Sequence, residues 1–483
     1  MLLENSSSAR WAGLAIVSVP ALFVVGLFWW NVRTQDAAYA DRRAKVAAVA
    51  SKIDDPNDTP LPTTEALAPL AASAIKTPTE SAPVVASPPP VVVPPAVVAS
   101  PIEKPALPAK IEKEPTVLAS VVPPVLPVPE AKRMPPQSAP ATPLPTILPA
   151  EFDRQDGMLL GCNELVIYHP RLMIDIIKAL SGKRGFDIYG IVNDAEQRQK
   201  VESLLAEKGL PAGTVKFLEI AARGMWVRDY GPKFIRNQSG GLTIIDYSYL
   251  DLVATDGMFR PDDDKVPARI AELFRMDMLP VPLSMEGGNL LTNGYGLCLT
   301  TNHLATENQH RGYSVEKVGK VIAETYGQRQ WSYIDPLPGD RTKHADTYVT
   351  FLSPNVVAVG SCDPLLDPAA AATMDRSAAQ LAAVTVDGQP LQVVRLPMLM
   401  QQDGVCRTYT NSVLANGTAL VPQYSDVDPN LNRQALEIYA KHLPNWRIVG
   451  IECLEIAEKG GALHCITCNI PSPSLVPVDP TAP

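Results

Sequence analysis

The 483-residue sequence contains no Walker phosphate loop, no GxGxxG after a strand-like run and no HExxH pair. Phosphate cradling by a glycine loop and helix-borne zinc hydrolysis therefore lack their usual residues. Positive charge is also short: 42 Lys and Arg stand against 51 Asp and Glu, a net charge of -9. A nucleic-acid partner would call for a basic face, so that class is set aside. An acidic chain suits cationic partners instead. Histidine is scarce at six, and cysteine is odd at seven. An odd count leaves at least one thiol free or paired between chains.

Proline is in excess, and locally so: 25 of its 48 residues fall between Pro56 and Pro149. One uniform domain is therefore excluded. Trp11 to Val32 carries no charge over 22 residues, about 33 Å as a helix and enough for a ~30 Å hydrocarbon core. Trp11, Trp29 and Trp30 stand near its ends, where amphipathic rings favour the interface. Residues 1–33 are thus expected to be a single-pass membrane anchor with its helix over 11–32, a cleaved signal peptide being the alternative. Residues 34–150, rich in Pro, Ala and Val, read as a disordered, semi-rigid tether. Arg33, Arg42, Arg43 and Lys45 favour a cytoplasmic far side. The long spacer favours the opposite, a periplasmic or extracellular globule, and that is the expectation adopted. Residues 151–473 form the globule, and 474–483 a disordered tail.

Within the globule, periodicity predicts strands at 165–169, 186–193 and 215–220, with helices at 171–180 and 195–208. A grammar of hairpin, helix and strand then recurs. Hairpins fall at 290–302, 348–361 and 412–423, helices at 314–326, 368–383 and 430–442, and strands at 331–334, 391–397 and 447–456. Asp229, Glu286, His344, Asn411 and Cys465 mark polar loops separated by 57, 58, 67 and 54 residues. One polar loop per unit at a period near 60 implies radial repetition. Five ββαβ units around an axis would bring the five loops to one end.

These loops hold acids, a histidine, an amide and a thiol. A cysteine with a histidine implies nucleophilic catalysis. Several acids around a thiolate would raise its pKa, which makes sense only for a cationic substrate. A guanidinium is planar, permanently charged and clamped bidentately by carboxylates. The reaction that fits is hydrolytic removal of one guanidine nitrogen. Cys465-Ile-Thr-Cys468 taken alone also admits a redox pair or half a zinc site, but no second CxxC accompanies it. His344-Ala-Asp346 taken as a metal pair lacks an obvious third ligand.

Trp226-Val-Arg-Asp-Tyr-Gly-Pro232, Glu286-Gly-Gly-Asn289, His344-Ala-Asp346, Asn411 and Gly-Gly-Ala-Leu-His464-Cys465 together resemble the bacterial (Porphyromonas-type) peptidylarginine deiminase and agmatine deiminase family. The resemblance covers the globule and says nothing about residues 1–150. It implies a five-bladed pseudo-symmetric α/β propeller (the pentein fold) and a calcium-independent enzyme without cofactor or metal. It implies Cys465 as the nucleophile forming a covalent thiouronium and His344 as general acid and base. Asp229 and Asp346 would be the guanidinium clamp, Glu286 a bordering acid, Trp226 a packing surface and Asn411 a positioning amide. Agmatine deiminases typically carry Glu-Gly-Gly-Ser and Tyr-x-Asn-Phe-Tyr, where this chain has Glu286-Gly-Gly-Asn289 and Tyr409-Thr-Asn411-Ser412. The expected substrate is peptidyl or free arginine, giving citrulline and ammonia, with Arg223 or Arg260 as anchors for a free carboxylate. Agmatine is the alternative substrate, and a non-catalytic tethered module for cationic peptides is the alternative class.

Overall fold

Runs of Val, Ile and Leu too short for a helix, punctuated by glycine turns, become the strands. Longer stretches opened by a capping side chain become the helices between them. The structure, a computed structural model, describes residues 147–237, 241–249, 261–309, 311–400 and 403–473. The expected anchor over 11–32, all but the last residues of the tether, the tail, and Arg260 lie outside the described residues. Among the described residues no helix is long and apolar enough to cross a membrane.

The order is β1 Gln155–Leu160, α1 Cys162–Tyr168, α2 Pro170–Leu180, β2 Asp187–Val192, α3 Ala195–Glu207 and β3 Val215–Glu219. Then come α4 Val227–Tyr230, β4 Lys233–Arg236, β5 Leu242–Ser248, α5 Val266–Phe274 and β6 Asp277–Ser284. The third group is β7 Leu291–Thr292, β8 Leu297–Thr301, α6 His303–Gln309, α7 Val315–Tyr326 and β9 Gln330–Ile334. The fourth is β10 Val349–Ser353, β11 Val356–Ser361, α8 Pro368–Ala382, a small hairpin of β12 Thr385–Val386 and β13 Gln389–Pro390, and β14 Gln392–Met400 with β15 Cys406–Thr408. The last is β16 Val413–Ala415, β17 Thr418–Gln423, α9 Pro429–His442, β18 Arg447–Glu452, α10 Leu454–Ala457 and β19 Thr467–Pro471.

Pairing repeats one pattern. β4–β5, β7–β8, β10–β11 and β16–β17 are antiparallel, and the second strand of each then pairs in parallel with β6, β9, β14 and β18. A parallel partner requires a crossover, which the intervening helix supplies. The remaining sheet closes across the chain: β19 pairs antiparallel with β1, and β2 and β3 follow in parallel. Helix starts are fixed locally. Asp194, Ser314 and Asp367 each accept a backbone N–H from three residues on, and Pro368 and Pro429 open α8 and α9. α2 buries Leu172, Met173, Ile176, Ile177 and Leu180, a single apolar stripe laid on the sheets.

Three expectations need correction. Residues 165–169 are not a strand. The segment is α1, because Asn163 and Glu164 turn inward to bond the 222–225 loop while Ile167 and Tyr168 stay exposed. The strand that starts the sheet is β1, earlier in the chain. The strand expected over 447–456 ends at Glu452, where Cys453 opens α10. Packing also begins before residue 151. Ile147, Leu148 and Ala150 are buried, and Ile147 exchanges two backbone hydrogen bonds with Arg236 at 3.3 and 3.0 Å. Proline-rich composition hides this strap, because the core accepts apolar residues whatever precedes them.

Candidate active site

The five polar nodes occupy equivalent places. Asp229 precedes β4, Glu286 precedes β7, His344 and Asp346 precede β10, Asn411 precedes β16, and Cys465 precedes β19. Each therefore sits at the entry to the first strand of an antiparallel pair. Asp229 rides on α4, whose Arg228 N–H donates to the Cys465 carbonyl at 3.2 Å. Asn289 ties its own loop to the end of β8 and to the His344 loop: its Oδ1 accepts from Thr301 N at 2.9 Å and Ala345 N at 3.2 Å. Asn411 Oδ1 accepts from His464 N at 3.0 Å and Cys465 N at 3.4 Å. Its Nδ2 faces the Cys465 sulfur at 3.3 Å. Lys343, at φ 57, holds a left-handed backbone directly before His344, a strained conformation of the kind kept at functional loops.

The side chains converge on a small, anionic space. His344 Nε2 contacts Glu286 Oε2 at 2.5 Å, and its Nδ1 lies 3.6 Å from Asp229 Oδ1. Asp346 Oδ2 meets His464 Nδ1 at 2.6 Å and the Cys465 sulfur at 4.0 Å. Gly288 forms the floor. It donates its N–H to Asp229 Oδ1 at 3.0 Å. A Cβ there would fall 2.6, 2.8 and 2.9 Å from His344 Nδ1, Asp229 Oδ1 and Asp346 Oδ2. Gly461 does the same beneath Trp226 and Cys465, at 2.6 Å from the indole and 3.0 Å from the sulfur. Asp346 Oδ1 and His344 Nδ1 are buried without a hydrogen-bond partner among the described residues. Unsatisfied buried polar atoms of this kind are costly and ask for a ligand or water.

Charge is strongly perturbed. Burial pushes Asp229 up to about 6, helped by Glu286 and Asp346 and opposed by His344. Burial opposes the His344 charge, yet Asp229, Glu286 and Asp346 outweigh it and lift the imidazole to about 10. Burial, then Asp346 and Asp229, drive the Cys465 thiol well above its usual value. A cleft that stabilises one internal cation and destabilises a thiolate is preset for a second, incoming cation. Among the described residues no group of three or more His, Cys, Asp and Glu is arranged to hold a metal ion.

The sequence profile of the Porphyromonas-type peptidyl-arginine deiminases matches residues 148–471. The chain belongs to this family. A Listeria monocytogenes protein provisionally named agmatine deiminase 1 is 25% identical over 352 residues, 66% of this chain and 92% of that protein. The Enterococcus faecalis agmatine deiminase structure superposes with a TM-score of 0.59 at 22% identity, over 69% of this chain and 99% of its own. A cysteine-to-serine variant of C. jejuni agmatine deiminase with substrate bound gives 0.58 at 20%, over 67% and 96%. These structures share the α/β fold. Membership makes the chain a deiminase-type hydrolase acting on guanidino C–N bonds.

All seven residues assigned to the deiminase site from sequence, Cys465, His344, Asp229, Asp346, Trp226, Glu286 and Asn411, lie in this one cluster, with Trp226 half-buried at its edge. Arg223 does not enter it: the side chain is 63% exposed and faces Asp262 at 3.6 Å. The CxxC does not act as a pair. Cys468 donates instead to the Pro232 carbonyl at 3.3 Å, and all seven cysteines are free. Sequence reasoning gave no role to Arg228 or His464, although each stands inside a quoted motif. It missed Glu151 altogether, and an isolated acid at the edge of a proline-rich stretch carries no local signal.

Proposed function

We propose that the domain hydrolyses the guanidine of peptidyl or free arginine to citrulline and ammonia, through a covalent bond to Cys465. The observation that carries the reading is the meeting of Asp229 Oδ1, Asp346 Oδ2 and His344 Nδ1 over a floor that only glycine allows, with the Cys465 sulfur 4.0 Å from Asp346 Oδ2. A guanidinium is a flat cation whose N–H groups suit the carboxylate oxygens of Asp229 and Asp346. The five equivalent loops and the matched solved structures support a five-bladed pentein propeller, which gathers these loops at one end of its axis.

In this reading Asp229 and Asp346 hold the guanidinium nitrogens. The substrate's charge offsets the two aspartates and lets Cys465 ionise. The thiolate forms an S–C bond at the central carbon. The tetrahedral adduct collapses with loss of one C–N bond, and His344 gives a proton to the departing ammonia. A water then attacks the thiouronium, passing its proton to His344, and the C–S bond breaks to leave the ureido product. Glu286 keeps His344 charged for the first transfer. Asn411 holds the sulfur, and Trp226 packs on the substrate stem.

Arginine is favoured over agmatine by the departures at Asn289 and Ser412 from the usual agmatine-type motifs. It is favoured also by the charge-free segment 11–32, which supports a membrane-anchored domain outside the cytoplasm. The names of the relatives favour agmatine, which is the second reading. Turnover of agmatine, free arginine and arginyl peptides measured side by side decides between them. If none is consumed while Cys465→Ser leaves binding of cationic peptides intact, the domain is a binding module instead.

A further inference from the structure

Glu151 has no place in the reaction above, yet it stands one imidazole away from the clamp. We propose that Glu151, carried by the strap that joins the tether to the domain, is a positioning residue that sets Asp346 through His464. The inference rests on the deiminase reading of the site.

His464 is 4% exposed, and both its ring nitrogens are engaged. Nδ1 meets Asp346 Oδ2 at 2.6 Å and Nε2 meets Glu151 Oε1 at 2.8 Å. Each ring nitrogen thus faces a carboxylate oxygen. Glu151 is held in turn by Arg228 Nη1 at 2.6 Å. Arg228 is fixed by Asn469 Oδ1 at 2.9 Å and the His464 carbonyl at 3.3 Å. Burial opposes the charge on Glu151, but Arg228, His464 and Lys233 hold it down to about 2, so it remains a carboxylate. The strap is stapled on both sides of it. Ile147 bridges Arg236, and Gln155 Nε2 donates to the Ala150, Glu151 and Asp153 carbonyls at 3.0, 3.3 and 2.9 Å.

The consequence is directional. His464 holds Asp346 Oδ2, the oxygen that also lies 4.0 Å from the Cys465 sulfur and above the Gly288 floor, and so fixes the plane of the carboxylate beside the thiol. Without Glu151 the imidazole loses its outer partner and can turn, and Asp346 turns with it. Groups that orient a reacting residue from behind are worth about 10–100-fold where this has been measured at metal sites. A cavity of about 60 Å³ borders Glu151, Arg228 and Lys233. At ~10–15 Å³ per water it would admit a formate ion in place of a deleted carboxylate.

The test uses the full chain as wild type, Glu151→Gln and Glu151→Ala, with kinetics well below each melting temperature. The isosteric Gln variant should lose about 10–100-fold in kcat/KM. Millimolar formate should restore the Ala variant by about tenfold, while chloride at equal ionic strength should not, an effect a purely structural role would not produce. A Gln variant at wild-type rate overturns the proposal, as does a folded Ala variant blind to formate. Should Glu151→Ala not fold, the Gln variant decides alone. Should the wild type turn over no guanidine at all, the deiminase reading fails separately. The crystal structure of Glu151→Gln then decides this one: a displaced His464–Asp346 contact supports it and an unmoved one sinks it.

Discussion

Cys465 ionises against burial, Asp346 and Asp229 together, while Glu286 and Asp229 hold a proton on His344. In the proposed reaction the free site therefore stores its acid ready and its nucleophile masked, and a bound cation reverses the second condition. Cys465→Ala and His344→Ala should each abolish citrulline or ammonia release, with thermal melting showing both domains still folded. Activity retained in either variant removes the corresponding role. The pH dependence has a definite sign. His344 must be protonated to release ammonia, so kcat/KM falls as pH rises through its raised pKa of about 10. Glu286→Gln deletes one of the charges raising that pKa, so the basic limb should move to lower pH by about 1 unit or more. A basic limb that stays in place, or moves up, dissociates Glu286 from His344. These residues were legible because each brings a chemical type to a repeated position. Glu151 was not, because its partners Arg228 and His464 lie far along the chain and only folding brings them to it.

The turn Gly287–Asn289 shows what an element does that a residue list cannot. Glu286 leads into it, Gly288 lies under the His344, Asp229 and Asp346 side chains, and Asn289 binds the end of β8 and the His344 loop. Gly288→Ala should fold, since the turn requires no positive φ there. Its methyl would nonetheless enter the space between His344, Asp229 and Asp346, well inside van der Waals contact. The expected result is a loss of about 100-fold or more in kcat/KM, with a stability cost of about 1–3 kcal/mol for the forced repacking. Wild-type kinetics would show that the guanidine binds elsewhere. Periodicity located the repeated hairpins, helices and parallel strands because each is a long or strongly patterned run. It failed at α1, where seven residues fit either period and inward polar bonds decide.

At the scale of the whole molecule, one closure joins fold to chemistry. β19 completes the sheet that β1 begins, pairing Gln155 with Pro471 and Leu160 with Thr467 across the full length of the domain. No local pattern announces such a pairing, because both strands look ordinary and their partnership depends on the path between them. The closing strand also follows directly on the proposed nucleophile, two residues past Cys465. Ile470 anchors it in a cluster with Leu159, Ile191, Leu218 and Val227. Ile470→Ala should cost about 2–5 kcal/mol, the range for truncating a buried aliphatic side chain. Denaturant unfolding measures that loss directly. If the strand both closes the fold and holds the thiol, local opening of β19 should also release Cys465. The variant's thiol should then alkylate faster than the wild type's under conditions where the domain is still folded, and His344→Ala, which leaves the strand intact, should show no such gain. Faster unfolding with unchanged thiol reactivity would mean that the turn around Gly461 and Asn411 fixes Cys465 independently of the strand behind it.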